Sequence, residues 1–161
     1  RDSSTSRGLG DVYKRQTQFG ASFVTLKYDG KLRGCIGSVY PTKPLILDII
    51  DNAKNAGFQD PRFEPLTIDE LDKLQVSVSI LSSIERLPYK DERDLLSKIY
   101  PHGIIIMERE KRAVYLPIVW EQLPDREIFF NSLKEKAGLP PEYFSRSLEV
   151  YKFDASYITN D

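Results

Sequence analysis

The sequence predicts an α+β domain, a largely antiparallel β-sheet flanked by helices, and three features carry that expectation. Asp29-Gly30 joins two apolar stretches as a hairpin turn, residues 75–81 alternate with a period of two, and residues 44–57 and 125–137 place apolar side chains at helical spacing. Hairpins separated by helices, without a regular alternation of strand and helix, give an antiparallel sheet rather than a parallel one.

Residues 21–39 read as two strands around Asp29-Gly30, residue types that accept the positive φ angles of a two-residue turn. With that pair central, opposite residues keep a constant index sum, so Leu26 is expected opposite Arg33 and Val24 opposite Cys35. Arg33 and Cys35 then share one sheet face. Pro41 and Pro44 end the second strand, after which Leu45, Ile46, Ile49, Ile50, Ala53 and Ala56 follow helical spacing up to Gly57 as a stop. Residues 59–65 form a two-proline loop, and Thr67 with Glu70 makes a capping box for a short helix through Lys73. Gln75 to Leu81 reads as a half-buried strand with Val76, Val78 and Ile80 on one face and Ser77 and Ser79 on the other.

Asp91 to Ile99 is expected as a helix, and residues 103–108 and 112–116 as a second hairpin turning at Arg109-Glu110-Lys111. Pro117 ends that hairpin, and Trp120 in the short helix that follows is read as a core anchor. Asp125 to Ala137 turns Ile128, Phe129, Leu133 and Ala137 inward before Gly138, with Lys134, Glu135 and Lys136 on a solvated face. Leu148 to Phe153 reads as the last strand.

Composition narrows the function classes. Of the 161 residues, 23 are Lys or Arg and 24 are Asp or Glu, so a net charge of −1 offers no footprint for phosphate backbones or anionic lipid. Nucleic acid and membrane are set aside as partners. One cysteine and one histidine exclude intrachain disulfides and Cys/His metal clusters, so metal chemistry would have to rest on carboxylates, and no metal or other cofactor is assigned to this chain. An unpaired thiol fits the reducing cytoplasm. Residues 1–16 show no apolar periodicity, and Asp11-Val12-Tyr13-Lys14-Arg15-Gln16 is the translation of a transposon end used to fragment DNA for sequencing. We therefore expect residues 1–16 to be a translated adapter that packs poorly or forms an unrelated helix, and 17–161 to be the domain; a genuine flexible tail is the alternative. Without that segment the balance is 19 basic to 22 acidic, a net charge of −3. The same reading implies a lost native start and an exposed apolar patch near Phe19 and Phe23.

Chemistry centres on Leu32-Arg33-Gly34-Cys35-Ile36-Gly37, because glycine in a strand interior marks a bulge or a close approach. Gly34 and Gly37 bracket the only thiol and would leave it approachable. Arg33 could then favour the thiolate, which makes Cys35 a candidate nucleophile with Arg33 as electrostatic helper. The competing reading is a small buried hydrophobe, common for an unpaired Cys. Asp60 and Arg62 flank Pro61 and could line a binding cleft together with Gly34 and Gly37, or could simply form an Asx-type turn closed by arginine. His102, in Pro101-His102-Gly103, reads as a turn residue rather than the base of a Cys/His dyad.

The sequence closely resembles the AMMECR domain family. The likeness runs from about Gly20 to the end, through GASFVTL, LRGCIG, the DPRF loop at Asp60 to Phe63, VSVSILS, and LP-x-VWEQLPD from Leu116 to Asp125. Ile118, where a glutamine is expected, and Gly57, where alanine is usual, depart from the pattern. The resemblance implies an antiparallel sheet flanked by helices, with a smaller subdomain and a cleft between. It also implies partners: a radical SAM protein, and a Memo-like protein related to extradiol dioxygenases that is sometimes fused to the domain. Metal and SAM chemistry would belong to those partners. The expected function is a cysteine-dependent enzyme or enzyme component of that system; the alternatives are a non-catalytic interaction module using the same cleft and, third, association with RNA or the translation machinery, against which the negative charge argues.

Overall fold

The computed structural model describes residues 18–160. The chain divides into two compact units, one running to Leu81 and resuming at Ser156, the other spanning Ser82–Ala155.

In the first unit, β1 (Phe19–Gly20) pairs with β4 (Lys43–Pro44). The expected hairpin is formed by β2 (Ser22–Tyr28) and β3 (Lys31–Gly37), with Asp29 at φ 52° and Gly30 at φ 74° in its turn. β5 (Leu74–Leu81) runs antiparallel to β2, and β10 (Ala155–Thr159) lies beyond it, so the order is β10-β5-β2-β3. β3 is an edge strand. α1 (Leu45–Phe58) packs on one face of this sheet, where Val24, Leu26 and Ala56 are buried among Ile36, Ile49, Ala53, Val76 and Val78.

Ile46 and Ile50, which spacing also turned inward, are exposed, whereas Asp48 and Asn52 are buried. The first two turns of α1 are apolar nearly all round, so periodicity alone does not select its inward face. Hydrogen bonding explains the buried carboxylate. Ser22 Oγ donates to Asp48 Oδ2 at 2.7 Å, and Asn52 Nδ2 donates to the same oxygen at 3.1 Å and to the Ser22 carbonyl at 3.1 Å. Phe19 is exposed, while Phe23 is half-buried. The expected packing of residues 1–16 lies outside the described residues.

The hairpin register departs from expectation after two pairs. Tyr28 faces Lys31 and Lys27 faces Leu32, but a bulge at Arg33 then brings Gly34 opposite Leu26 and Cys35 opposite Thr25. One extra residue moves each later side chain of β3 to the other face. Cys35 therefore lies on the face away from α1, and Gly34 takes the helix side. A Cβ on Gly34 would stand 2.0 Å from the Ala56 carbonyl oxygen, so the helix backbone rests directly on the strand. Gly37 faces Phe23, whose ring a Cβ would meet at 2.4 Å. Packing accounts for both glycines, and neither is explained as an opening to the thiol.

In the second unit, β6 (Glu85–Arg86), β9 (Glu149–Phe153), β7 (Gly103–Glu108) and β8 (Lys111–Tyr115) form an antiparallel sheet in that order. Its core joins Ile104, Ile106 and Val150 to Leu95 of α2 (Glu92–Lys98) and to Phe129, Phe130 and Leu133 of α3 (Arg126–Lys136). Trp120, in the 3-10 helix Pro117–Glu121, is the anchor expected of it: its ring stacks on Phe129 at 3.6 Å, and its Nε1 donates to the His102 carbonyl at 2.8 Å. Lys134 corrects the reading of a solvated face. It is fully buried over the Phe130 ring and donates to the Tyr143 carbonyl at 2.9 Å, because a long aliphatic stem lets an ammonium reach one internal acceptor. Burial pushes its pKa down. Among the described residues, no helix is long and apolar enough to cross a membrane.

The contact of Gly34 with Ala56 predicts the cost of one methyl. Gly34→Ala should destabilise the protein by about 3 kcal/mol, since helix and strand must separate. Gly30→Ala, in open space at positive φ, should cost only about 1 kcal/mol. Urea denaturation midpoints of the two variants check the ranking.

Candidate functional site

Among the described residues no strand lies beyond β3 at Cys35, and the loop of residues 59–65 takes the place of one. The Cys35 N–H donates to Asp60 Oδ2 at 3.0 Å, and its carbonyl accepts from Arg62 Nη2 at 3.5 Å. Asp60 and Arg62 are themselves a two-toothed pair, with Nε to Oδ1 at 3.0 Å and Nη2 to Oδ2 at 2.7 Å. One carboxylate and one guanidinium thus supply the acceptor and the donor that a neighbouring backbone would offer. The Arg62 N–H also donates to Asp60 Oδ1 at 3.1 Å, so the Asx-type turn weighed from sequence is present and serves this clamp.

The electrostatics follow from those bonds. The Arg62 side chain, and then the N–H groups of Cys35 and Arg62, hold the Asp60 carboxyl well below the usual carboxylate range against the opposing effect of burial. The Asp60 side chain is buried, while that of Arg62 is more than half exposed.

Arg33 occupies the bulge and turns to Glu70, giving Nε to Oε2 at 2.7 Å and Nη2 to Oε1 at 3.1 Å. Glu70 also accepts from the Thr67 N–H at 3.0 Å, closing the capping box expected at the 3-10 helix Ile68–Lys73. Arg33 is the main reason its carboxyl falls to about 2. The electrostatic helper expected for the thiol is thus a guanidinium already neutralised by a carboxylate. Phe63 lies between the two arginines, its ring centroid 6.0 Å from the Arg33 guanidinium carbon and 5.4 Å from that of Arg62.

The half-buried Cys35 sulfur lies 3.3 Å from Thr25 Oγ1. Register extends this pair into a row, since Thr25 faces Cys35 on β3 and Ser77 on β5; the neighbouring row is Gly37, Phe23 and Ser79. His102 belongs to the second unit, where its Nδ1 is 2.8 Å from Asp154 Oδ1. The structure therefore gathers Arg33, Cys35, Asp60 and Arg62 into one unit and adds Thr25, Phe63, Glu70 and Ser77 to them. Thr25 escaped sequence reasoning because the bulge was invisible there, and Glu70 was seen only as a cap.

The depressed carboxylates fix a pH response. Asp60 and Glu70 contribute stability above the ordinary carboxylate pKa of about 4 and lose it as the pH falls toward about 2 for Glu70 and lower for Asp60. Asp60→Asn should cost about 2 kcal/mol at neutral pH, the scale of a charged hydrogen bond, and should flatten this acid dependence. Urea midpoints measured from neutral pH into that acid range, on both proteins, check the two effects together.

Comparison with known proteins places the chain. The AMMECR1 family model matches residues 4–158. A relative from Thermotoga maritima is 43% identical over 145 residues, covering 89% of this chain and 78% of the relative. One from Aeropyrum pernix is 40% identical over 144 residues, covering 85% of this chain, which spans only 62% of that relative's length. The crystal structure of an uncharacterised protein from Pyrococcus horikoshii superposes with a TM-score of 0.85 at 32% identity, covering 91% of this chain and 76% of that one. The α+β architecture is thus shared with a solved structure, and the chain belongs to the AMMECR1 family.

Proposed function

We propose that this AMMECR1-family domain is a cytoplasmic enzyme component that works through Cys35, in a system with a Memo-like protein and a radical SAM protein. The observation that carries the reading is the double tether of Cys35, whose N–H and carbonyl are both held by the Asp60–Arg62 pair. That tether fixes the backbone from which the thiol projects. The same clamp that closes the strand edge gives the thiol a fixed placement, from which a reacting group benefits. Thr25 Oγ1, at 3.3 Å, can donate to a thiolate as it forms. The partners follow from the family resemblance, and the metal and SAM chemistry stays with them.

A second reading, a non-catalytic interaction module, is favoured by a different observation. The side-chain partner of the sulfur is a hydroxyl and not a base, and both nearby guanidinium groups already face carboxylates. Nothing of that kind deprotonates a thiol.

Alkylation separates the two. With Cys35 working as a nucleophile, iodoacetamide should label the native protein at least as fast as a free thiol at the same pH. Labelling only after unfolding would remove the nucleophile and leave the module. In that case Cys35→Ser should retain binding to the Memo-like or radical SAM protein in a mixing experiment with the full-length chains.

A further inference from the structure

Outer strands of a sheet need protection, because their outward N–H and carbonyl groups are a template for another strand. Among the described residues, three of the four outer strands of the two four-stranded sheets have it. β3 is clamped at Cys35 by Asp60 and Arg62. On β8 the Val114 carbonyl accepts from Lys136 Nζ at 2.7 Å. β6 is only two residues long. β10 is the exception, five residues with no charge, no proline and no glycine. Tyr157 is 47% exposed and Ile158 57%. Successive residues of a strand point to opposite faces, so β10 is open on both.

The backbone of β10 is held in a fixed phase. The Asn160 N–H donates to the Val76 carbonyl at 3.2 Å, and the Val76 N–H donates to Asn160 Oδ1 at 2.6 Å, so Asn160 turns its main-chain groups toward β5. Period two turns those of Ser156 and Ile158 the same way, and those of Ala155 and Tyr157 outward. An identical strand running antiparallel can then set its own Tyr157 directly opposite, where two residues exchange both N–H···O bonds. The same two-fold axis sets Ile158 opposite Ser156 and Asp154 opposite Asn160 of the second copy. No like charges meet along the pair, so the strand is compatible with itself.

We propose that the outer edge of β10 pairs antiparallel with β10 of a second copy of this chain, centred on Tyr157, joining two four-stranded sheets into one of eight. A two-fold pairing uses the edge of both copies, so growth stops at the dimer. Strand pairing alone buries less surface than a standard interface, so the dimer is a weak one that dissociates on dilution.

Sedimentation equilibrium of the full chain, with amide exchange followed over the same concentrations, tests the pairing. The average mass should rise from monomer toward dimer between about 5 and 500 μM, the range of a small interface. Exchange at the Tyr157 amide should slow as the mass rises, while that of Gly30 at the hairpin tip stays unchanged. Tyr157→Lys, a change at an exposed position, sets two like charges face to face and should stay monomeric with an unaltered circular dichroism spectrum. Tyr157→Pro removes the outward N–H but no bond to β5, and should also stay monomeric. A chain that keeps the monomer mass throughout would overturn the proposal and leave the edge to a strand of another protein. Mass growing past the dimer, a dimer that survives both substitutions, or one that leaves exchange at Tyr157 unchanged would overturn it equally.

Discussion

The first unit depends on how one exposed strand edge is closed. Among the described residues β3 has no strand on its outer side, and at Cys35 its N–H and carbonyl are met by the side chains of Asp60 and Arg62. A buried carboxylate in this position is stable only because a guanidinium and two backbone N–H groups surround it. The bulge at Arg33 belongs to the same arrangement, since the extra residue moves Cys35 off the core face and lets Gly34 meet the Ala56 carbonyl. Strand edge, helix contact and thiol placement are therefore one solution, and changing any of them disturbs the others.

Charge neutralisation is the second consequence. Both arginines near Cys35 are matched by carboxylates and share the Phe63 ring, so they order the loop and the 3-10 helix rather than leaving net positive charge at the sulfur. The second unit is built differently, around a stacked Trp120–Phe129 pair and a lysine buried over Phe130.

Much of this was legible in the sequence, for identifiable reasons. Asp29-Gly30, the alternation of Val76 to Ile80, the capping box of Thr67 with Glu70 and the stop at Pro117 are local signals, and each element formed close to where it was read. The motif that holds Cys35 and the loop that holds Asp60 and Arg62 were also visible, as was the family. The bulge was not, because register beyond a turn depends on tertiary contacts: only the Ala56 carbonyl explains why glycine, and not arginine, faces Leu26. Lys134 and Asp48 were misjudged or missed for a related reason, since the acceptor or donors that permit their burial come from distant residues. β10 was overlooked although Tyr157, Ile158 and Thr159 are strand formers, for its pairing with β5 is long-range.

Native-state hydrogen exchange at the Cys35 amide tests the central claim most directly. That amide lies on the outer edge of an edge strand and is protected only if the Asp60 carboxylate holds it. The account predicts protection approaching that of Val24 in the central strand, and loss of most of it in Asp60→Asn with Val24 unaffected. A Cys35 amide that exchanges in the unaltered protein as fast as that of Gly30 at the hairpin tip would contradict it.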